Sequence, residues 1–207
     1  MPPPQSDPGP KNVLRGAMRA LLARIASADR ADLSRAACAH LLALPEFTQI
    51  AGGAVLTTLS LPDEIDTAPL IEALLAAGRV VAVPVLPTAS PSSLLPVRLS
   101  SLSPASLTRG PFGVREPLAH APVAPADISI IVLPGLAFDS QGARLGRGAG
   151  FFDRFLAHPD LRALLIGLCF DEQVAAHVPR EPHDRDVHLV VTPRRVIRAG
   201  YGSAATS

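Results

Sequence analysis

Short apolar runs, each followed by turn or helix signals, constrain the fold of this chain more than any other feature. The clearest covers residues 127–133 (DISIIVL), which is almost entirely apolar after its first residue. A strand of this kind is typical of a parallel sheet, because helices cover both faces of such a sheet. Comparable runs predict further strands at 53–59, 80–85, 94–99, 164–170 and 187–191.

Helical patterns alternate with these runs. Residues 11–25 place Leu14, Met18, Leu22 and Ile25 on one face, and further helices are predicted at 30–43, 68–78 and 151–157. Strands that alternate with helices predict an α/β protein. We expect a three-layer α/β/α sandwich with a mostly parallel sheet, to which the two N-terminal helices are an addition.

The length of 207 residues is enough for one well-buried domain. Residues 1–10 are rich in proline and are expected to form a disordered tail, and residues 200–207 are expected to form a second flexible tail. The single domain then covers 11–199. The N-terminus has neither the charged start nor the apolar run of a signal peptide, so we expect a cytoplasmic protein.

Composition excludes several classes of function. The formal net charge is +1, from 19 cations and 18 anions, so nucleic acid is not the expected partner. The longest apolar stretch, 128–138, is shorter than the roughly 20 residues of a membrane span. Cys38 and Cys169 lie in apolar segments, which favours reduced core thiols over a disulfide.

The densest chemical signal is the segment 142–153 (GARLGRGAGFFD). Gly142, Gly146, Gly148 and Gly150 allow backbone amides to approach an anion closely, and a helix is predicted to begin directly afterwards. The segment matches neither a Walker A loop nor the dinucleotide fingerprint. It predicts a phosphate-binding loop, and the alternative is a flexible turn with solvated arginines.

Several other charged positions have two interpretations each. Lys11 is the only lysine of the chain and shares one helix face with Arg15 and Arg19, and this stripe either binds phosphate or forms a solvated helix face. Asp153 either holds Mg²⁺ near a phosphate or stabilises a helix dipole, and Asp184 is either a second ligand or a turn residue. Glu64 follows a buried strand, at the end where α/β sheets bind ligands. It is therefore either a ligand contact or a polar loop residue.

Taken together, five segments resemble the 5-formyltetrahydrofolate cyclo-ligase family, also called methenyltetrahydrofolate synthetases. The similarity extends from Lys11 to Ile197, and the long central motif is specific to the family. The segments are Lys11-x-x-Leu14-Arg15, LSLPDEIDT at 59–67, FGVREP at 112–117, LPGLAFDSQGARLGRGAGFFDRFL at 133–156, and PHD with VVTPRRVI within 182–197.

The resemblance implies a Rossmann-like α/β/α fold and a reaction that uses ATP and Mg²⁺. In that reaction the formyl oxygen of 5-formyltetrahydrofolate, with or without a polyglutamate tail, attacks the γ-phosphate of ATP. Ring closure by N10 then gives 5,10-methenyltetrahydrofolate, ADP and phosphate. We expect a monomer. The rival interpretations are a phosphate-binding isomerase or CoA transferase of the same fold, and a non-catalytic nucleotide- or folate-binding protein.

The resemblance also assigns roles to residues. Asp153 and Asp184 match the metal positions, and Arg147 and Asp153 are the expected catalytic residues. The chain departs from the family at Phe151-Phe152, where the family usually has at least one tyrosine. The expected ATP contacts are Lys11, Arg15, Arg144, Leu145, Gly146, Arg147, Gly148, Ala149, Gly150, Phe151 and Phe152, and the expected folate contacts are Leu59, Glu64, Arg147, Gly148, Gly150 and Phe151.

Overall fold

The computed structural model describes residues 9–50, 52–87 and 93–199. The two predicted tails lie outside the described residues, apart from Gly9 and Pro10. Pro10 begins the first helix, where its fixed backbone angle suits the first helical turn. No helix in these described ranges is long and apolar enough to cross a membrane.

Within the described residues, the domain contains five α-helices and eleven β-strands. The helices are α1 (Pro10–Leu22), α2 (Ser27–Leu42), α3 (Pro45–Thr48), α4 (Ala68–Ala76) and α5 (Phe151–Leu156). The strands are β1 (Ala54–Leu56), β2 (Val81–Val85), β3 (Leu95–Leu99), β4 (Leu107–Arg109), β5 (Arg115–Pro117), β6 (Ile128–Leu133), β7 (Ala137–Phe138), β8 (Arg144–Leu145), β9 (Leu164–Leu168), β10 (Leu189–Val191) and β11 (Val196–Arg198).

The central sheet has seven strands in the order β11-β10-β9-β6-β1-β2-β3. The neighbours from β10 to β2 all pair in parallel, while β3 and β11 pair antiparallel at the two edges. The mostly parallel α/β sheet predicted from the apolar runs is therefore confirmed. The edge strand β11 was not predicted.

Side chains that alternate along the strands build an apolar core on each face of the sheet. Val55 and Ile130 point to the face covered by α2 and α4, where Leu41 and Leu70 are fully buried. Leu56 and Ile131 point to the other face, where Phe155 of α5 packs. Both faces are thus covered, which explains why the strands contain so few polar residues.

Both cysteines belong to this core, as predicted. They are free thiols, and burial raises the pKa of Cys38 to about 11 and raises that of Cys169 as well. Each therefore stays a neutral apolar side chain at physiological pH.

Two local features were not predicted. Strands β4 and β5 form a hairpin in which Glu116 and Pro117 are buried. Residues 142–150 were expected to be entirely loop, but Arg144 and Leu145 form β8, which pairs with β7. A two-residue strand has too few positions to show an alternating pattern, so the sequence gives no sign of this ribbon.

Candidate active site

A cavity of about 380 Å³ opens above the carboxyl ends of β6, β1 and β2. After β1 the chain continues to β2, which pairs with one edge of β1, whereas the later strand β6 pairs with the other edge. Ligands bind at such a reversal point in open α/β sheets. The cavity is lined by Thr58, Leu59, Leu61, Glu64, Pro84, Leu86, Leu94, Val114, Glu116, Pro134, Gly135, Arg144, Phe151, Phe152, Asp153 and the whole of 146–150.

The glycine-rich segment forms one wall of this cavity. It leaves β8, passes through Gly148 at φ 112° and reaches Gly150 at φ 69°. Only glycine adopts these backbone angles without strain, so the turn into α5 requires both residues. The backbone of 146–150 therefore borders the cavity directly.

Arg144 is the most buried cation of the site. It donates from Nη1 to the carbonyl oxygen of Pro134 at 3.3 Å and from Nη2 to Asp153 Oδ1 at 2.5 Å, and its guanidinium lies 5.8 Å from the centroid of the Phe152 ring. Burial lowers the pKa of Arg144, and the Asp153 charge opposes that effect. The Arg144 Nε is buried without a partner.

Arg147 pairs with two acidic residues that follow β1. Its Nε donates to Glu64 Oε1 at 2.9 Å and its Nη2 donates to Asp63 Oδ1 at 2.6 Å. Burial alone would lower the pKa of Arg147, but the two carboxylates raise it. The second Glu64 oxygen accepts the Leu61 N–H at 3.0 Å. These bonds join the glycine-rich segment to the end of β1.

Helix α1 reaches the opposite side of the glycine-rich segment. Arg15 Nε donates to the carbonyl oxygen of Gly146 at 3.0 Å, and a Cβ at Gly148 would lie 3.6 Å from the Arg15 guanidinium. Lys11 Nζ donates to Asp184 Oδ2 at 2.7 Å and lies 3.1 Å from Glu181. Of the three cations on this helix face, Arg19 is exposed, whereas Lys11 and Arg15 have partners, so the solvated face describes Arg19 alone.

The Lys11–Asp184 pair perturbs both of its members. Burial alone would lower the pKa of Lys11 and raise that of Asp184. The hydrogen bonds and charges of the pair reverse both effects, so that the Lys11 pKa is raised and the Asp184 pKa is lowered. Both side chains are consequently charged near neutral pH.

The predicted site residues fall into two groups. Leu59, Glu64, Arg144, Phe151, Phe152, Asp153 and 146–150 line the cavity, whereas Lys11, Arg15 and Asp184 lie outside its lining. Leu145 is buried in a separate apolar cluster, on which Leu14 and Met18 of α1 pack. Arg144 connects the two groups, because the charges of both Asp153 and Asp184 act to raise its pKa.

Asp153 and Asp184, the two carboxylates predicted to hold Mg²⁺, contact different partners. In the described ranges, the one group of three or more possible ligands with mutually close donor atoms is Glu181, His183 and Asp184. Asp153 is not in that group and is paired with Arg144. Carboxylate oxygens suit Mg²⁺, which usually takes one or two of them beside substrate phosphates. Asp153 and Asp184 each offer oxygen donors of that type, and in this structure each is paired with a cation, Arg144 and Lys11 respectively.

Three contributors were missed by sequence reasoning. Asp63 was quoted in a motif without a role, and it shares Arg147 with Glu64. Asp139 is buried and accepts the N–H groups of Ala143 and Val178, which fixes the β7–β8 ribbon. Glu116 lines the cavity from the hairpin. Its place in the FGVREP segment at 112–117 was the available signal.

Comparisons with known proteins agree with this geometry. The family model described as "5-formyltetrahydrofolate cyclo-ligase family" matches residues 8–193. A 5-formyltetrahydrofolate cyclo-ligase of Mycolicibacterium smegmatis is 36% identical over 155 residues, covering 73% of this chain and 79% of that protein. One of Escherichia coli K12 is 36% identical over 141 residues, covering 67% and 76%.

Solved structures give the same result. The NMR structure of the Aquifex aeolicus 5,10-methenyltetrahydrofolate synthetase has a TM-score of 0.78 and 30% identity, and the match covers 95% of this chain and 96% of that one. A 5,10-methenyltetrahydrofolate synthetase from Mycoplasma pneumoniae, at 16% identity and a TM-score of 0.71, shares the fold. The resemblance identified from the motifs is confirmed: this chain belongs to the 5-formyltetrahydrofolate cyclo-ligase family.

Proposed function

We propose that this enzyme converts 5-formyltetrahydrofolate and ATP to 5,10-methenyltetrahydrofolate, ADP and phosphate. One observation carries the proposal beyond family membership. The glycine-rich segment 146–150 lines the apolar cavity and also contacts Arg15 of α1. A single backbone segment therefore borders both a place for a ring system and a place for phosphates.

The folate ring is assigned to the cavity. Its walls are mostly apolar, with Leu59 at one side and the rings of Phe151 and Phe152 at another. Glu64 and Arg147 add polar groups, and ligand pockets commonly combine such walls with a few polar groups that fix orientation. We assign the folate contacts to Leu59, Glu64, Arg147, Gly148, Gly150 and Phe151.

The phosphates are assigned to the segment between α1 and the cavity. We assign the positive charge there to Lys11, which is paired with Asp184 in this structure, and to Arg15, and we assign the hydrogen-bond donors to the amides of 146–150. Arg144 already donates hydrogen bonds to Pro134 and Asp153, so we assign it to stabilising the wall of the cavity. When bound at Asp153 and Asp184, Mg²⁺ would neutralise phosphate charge.

The chemistry requires positioning and charge neutralisation more than a protein nucleophile. The formyl oxygen bonds to the γ-phosphorus as the bond to ADP breaks. N10 then attacks the formyl carbon, the bond from that carbon to the phosphorylated oxygen breaks, and N10 loses its proton. We assign Arg147, which lines the cavity, to the charge that develops on the transferred group, and the two phenylalanine rings would exclude water from the activated formyl group.

Three further assignments complete the proposal. We place the enzyme in the cytoplasm, because both cysteines are buried free thiols. We propose that the enzyme acts as a monomer. The substrate is proposed to be accepted with or without a polyglutamate tail.

Turnover of the purified protein with 5-formyltetrahydrofolate and Mg-ATP tests this proposal. We expect methenyl product and ADP in equal amounts, with no product when ATP is omitted. A phosphate-binding isomerase or CoA transferase would form neither product. A non-catalytic binding protein would bind the compounds and leave them unchanged, and either result would contradict the proposal.

A further inference from the structure

Glu116 is a buried carboxylate that lines the cavity without a cationic partner. Glu116 is 7% exposed, and its Oε1 accepts the Leu86 N–H at 3.3 Å. A Cβ at Gly110 would overlap the Glu116 carboxyl group, so the glycine makes room for this side chain. The chain therefore builds a specific place for an acidic group beside an apolar cavity.

The other carboxylates of the site differ from Glu116 in one respect. Glu64 is paired with Arg147, Asp153 with Arg144 and Asp184 with Lys11. No lysine or arginine pairs with Glu116 in the described part of the chain, which contains all 19 lysines and arginines. A buried carboxylate with one backbone donor retains acceptor capacity, and leaving such capacity unused is costly.

The position of Glu116 fixes which end of a bound ring it would meet. Leu86 follows β2, whereas Arg144 is bonded to Pro134, which follows β6. Strand β1 lies between β2 and β6, so these two ends of the cavity are about 10 Å apart at the usual strand spacing. A bicyclic ring lying across β1 would present one edge to the glycine-rich segment and the opposite edge to Glu116.

We propose that Glu116 is a specificity-determining residue that accepts two adjacent N–H donors of the substrate ring. The 2-aminopyrimidinone edge of a reduced folate carries such donors, the ring N3–H and the exocyclic 2-amino group. It lies across the ring system from the formyl-bearing N5. This inference rests on the proposed function, because it takes the ring in the cavity to be that of the folate.

Equilibrium binding of two compounds tests the inference without ATP. The probes are 5-formyltetrahydrofolate and its 2-desamino analogue, measured by calorimetry with the wild-type protein, Glu116→Gln and Glu116→Asp. Glu72→Gln, on the exposed side of α4, is the matched control. The glutamine keeps the size of Glu116 but offers one acceptor oxygen and a competing N–H₂ group.

We expect the wild-type protein and Glu72→Gln to bind the 2-amino compound about 10- to 100-fold more tightly than the analogue, the value of a charge-assisted hydrogen bond. Glu116→Gln should lose most of this preference by weakening only the 2-amino compound. A purely structural Glu116 would weaken both compounds equally, and that result would overturn the inference.

The wild-type measurement keeps the inference testable even if both variants at Glu116 fail to fold. A wild-type protein that binds the two compounds equally, or binds neither, overturns it. The failure of turnover is a separate result. A protein that prefers the 2-amino compound but makes no methenyl product supports the role of Glu116 and contradicts the proposed function.

Discussion

Replacing Asp153 by asparagine tests the buried Arg144–Asp153 pair and the proposed metal position together. The Arg144 side chain is 4% exposed and that of Asp153 is 23% exposed. Removing one partner of a fully buried pair costs about 3–5 kcal/mol. Asp153 is partly solvated and asparagine still offers an acceptor oxygen, so we expect Asp153→Asn to lower the free energy of unfolding by about 2–3 kcal/mol.

That loss is large enough to measure by thermal unfolding. One kcal/mol lowers the Tm of a domain of this size by about 2–4 °C, so Asp153→Asn should lower it by about 4–12 °C without ligands. We also expect the variant to bind ATP but to turn over poorly. Asp184→Ala should lower turnover in the same direction.

Two comparisons make the test specific. Asp160→Asn removes an exposed acid and should leave the Tm within about 2 °C of wild type. Arg144→Met combined with Asp153→Asn should cost less than the sum of the single changes, because the guanidinium is no longer left unpaired. An unchanged Tm in Asp153→Asn would refute the buried pair, and full activity with unchanged Mg²⁺ dependence would refute the metal assignment.

Three further predictions concern α1 and the aromatic wall. Lys11→Met should raise the KM for ATP far more than that for folate, and Lys11→Arg should recover only part of the loss, whereas an equal effect on both KM values would indicate damaged helix packing. The Asp184 pKa is lowered and the Lys11 pKa is raised, so the pair should stabilise the fold at a constant level from pH 5 to 9 and lose its effect progressively as the pH falls below about 4; urea unfolding of wild type and Lys11→Met from pH 9 downwards checks this, and a difference that does not decline as the pH falls below about 4 contradicts it. Phe151→Tyr and Phe152→Tyr should stay within a few-fold of wild-type turnover, whereas alanine at either position should lower stability or substrate use, by less than the roughly 3–5 kcal/mol of a fully buried ring because both rings are only partly buried; normal kinetics and stability in both alanine variants would show that the rings form no wall.

The sequence predicted the parts of the fold that depend on continuous burial. The runs at 127–133 and 164–170 became β6 and β9 because strands covered on both faces contain apolar residues at nearly every position. Helix α4 lies within the predicted range 68–78, and Asp66 Oδ1 accepts the Ala68 N–H at 3.0 Å at its start. Elements of two or three residues, such as β8 and β11, have no period to detect.

The candidate site was predicted as a set of residues but not as a set of contacts. Lys11 and Asp184 are 173 positions apart, and nothing local to either residue indicates that they pair. The same holds for Arg147 and Glu64, which are 83 positions apart. Glu116 was hidden because its burial depends on the absence of a side chain at Gly110, across the hairpin. Such contacts depend on the tertiary fold.

An oxygen-transfer measurement tests the central claim most directly. The enzyme is given 5-formyltetrahydrofolate with ¹⁸O in the formyl group and unlabelled Mg-ATP, and the inorganic phosphate is analysed by mass spectrometry. Because the methenyl product keeps no formyl oxygen, attack of that oxygen on the γ-phosphate predicts one ¹⁸O in each phosphate, formed in equal amount to the methenyl product. Unlabelled phosphate, or phosphate formed without methenyl product, would contradict the claim.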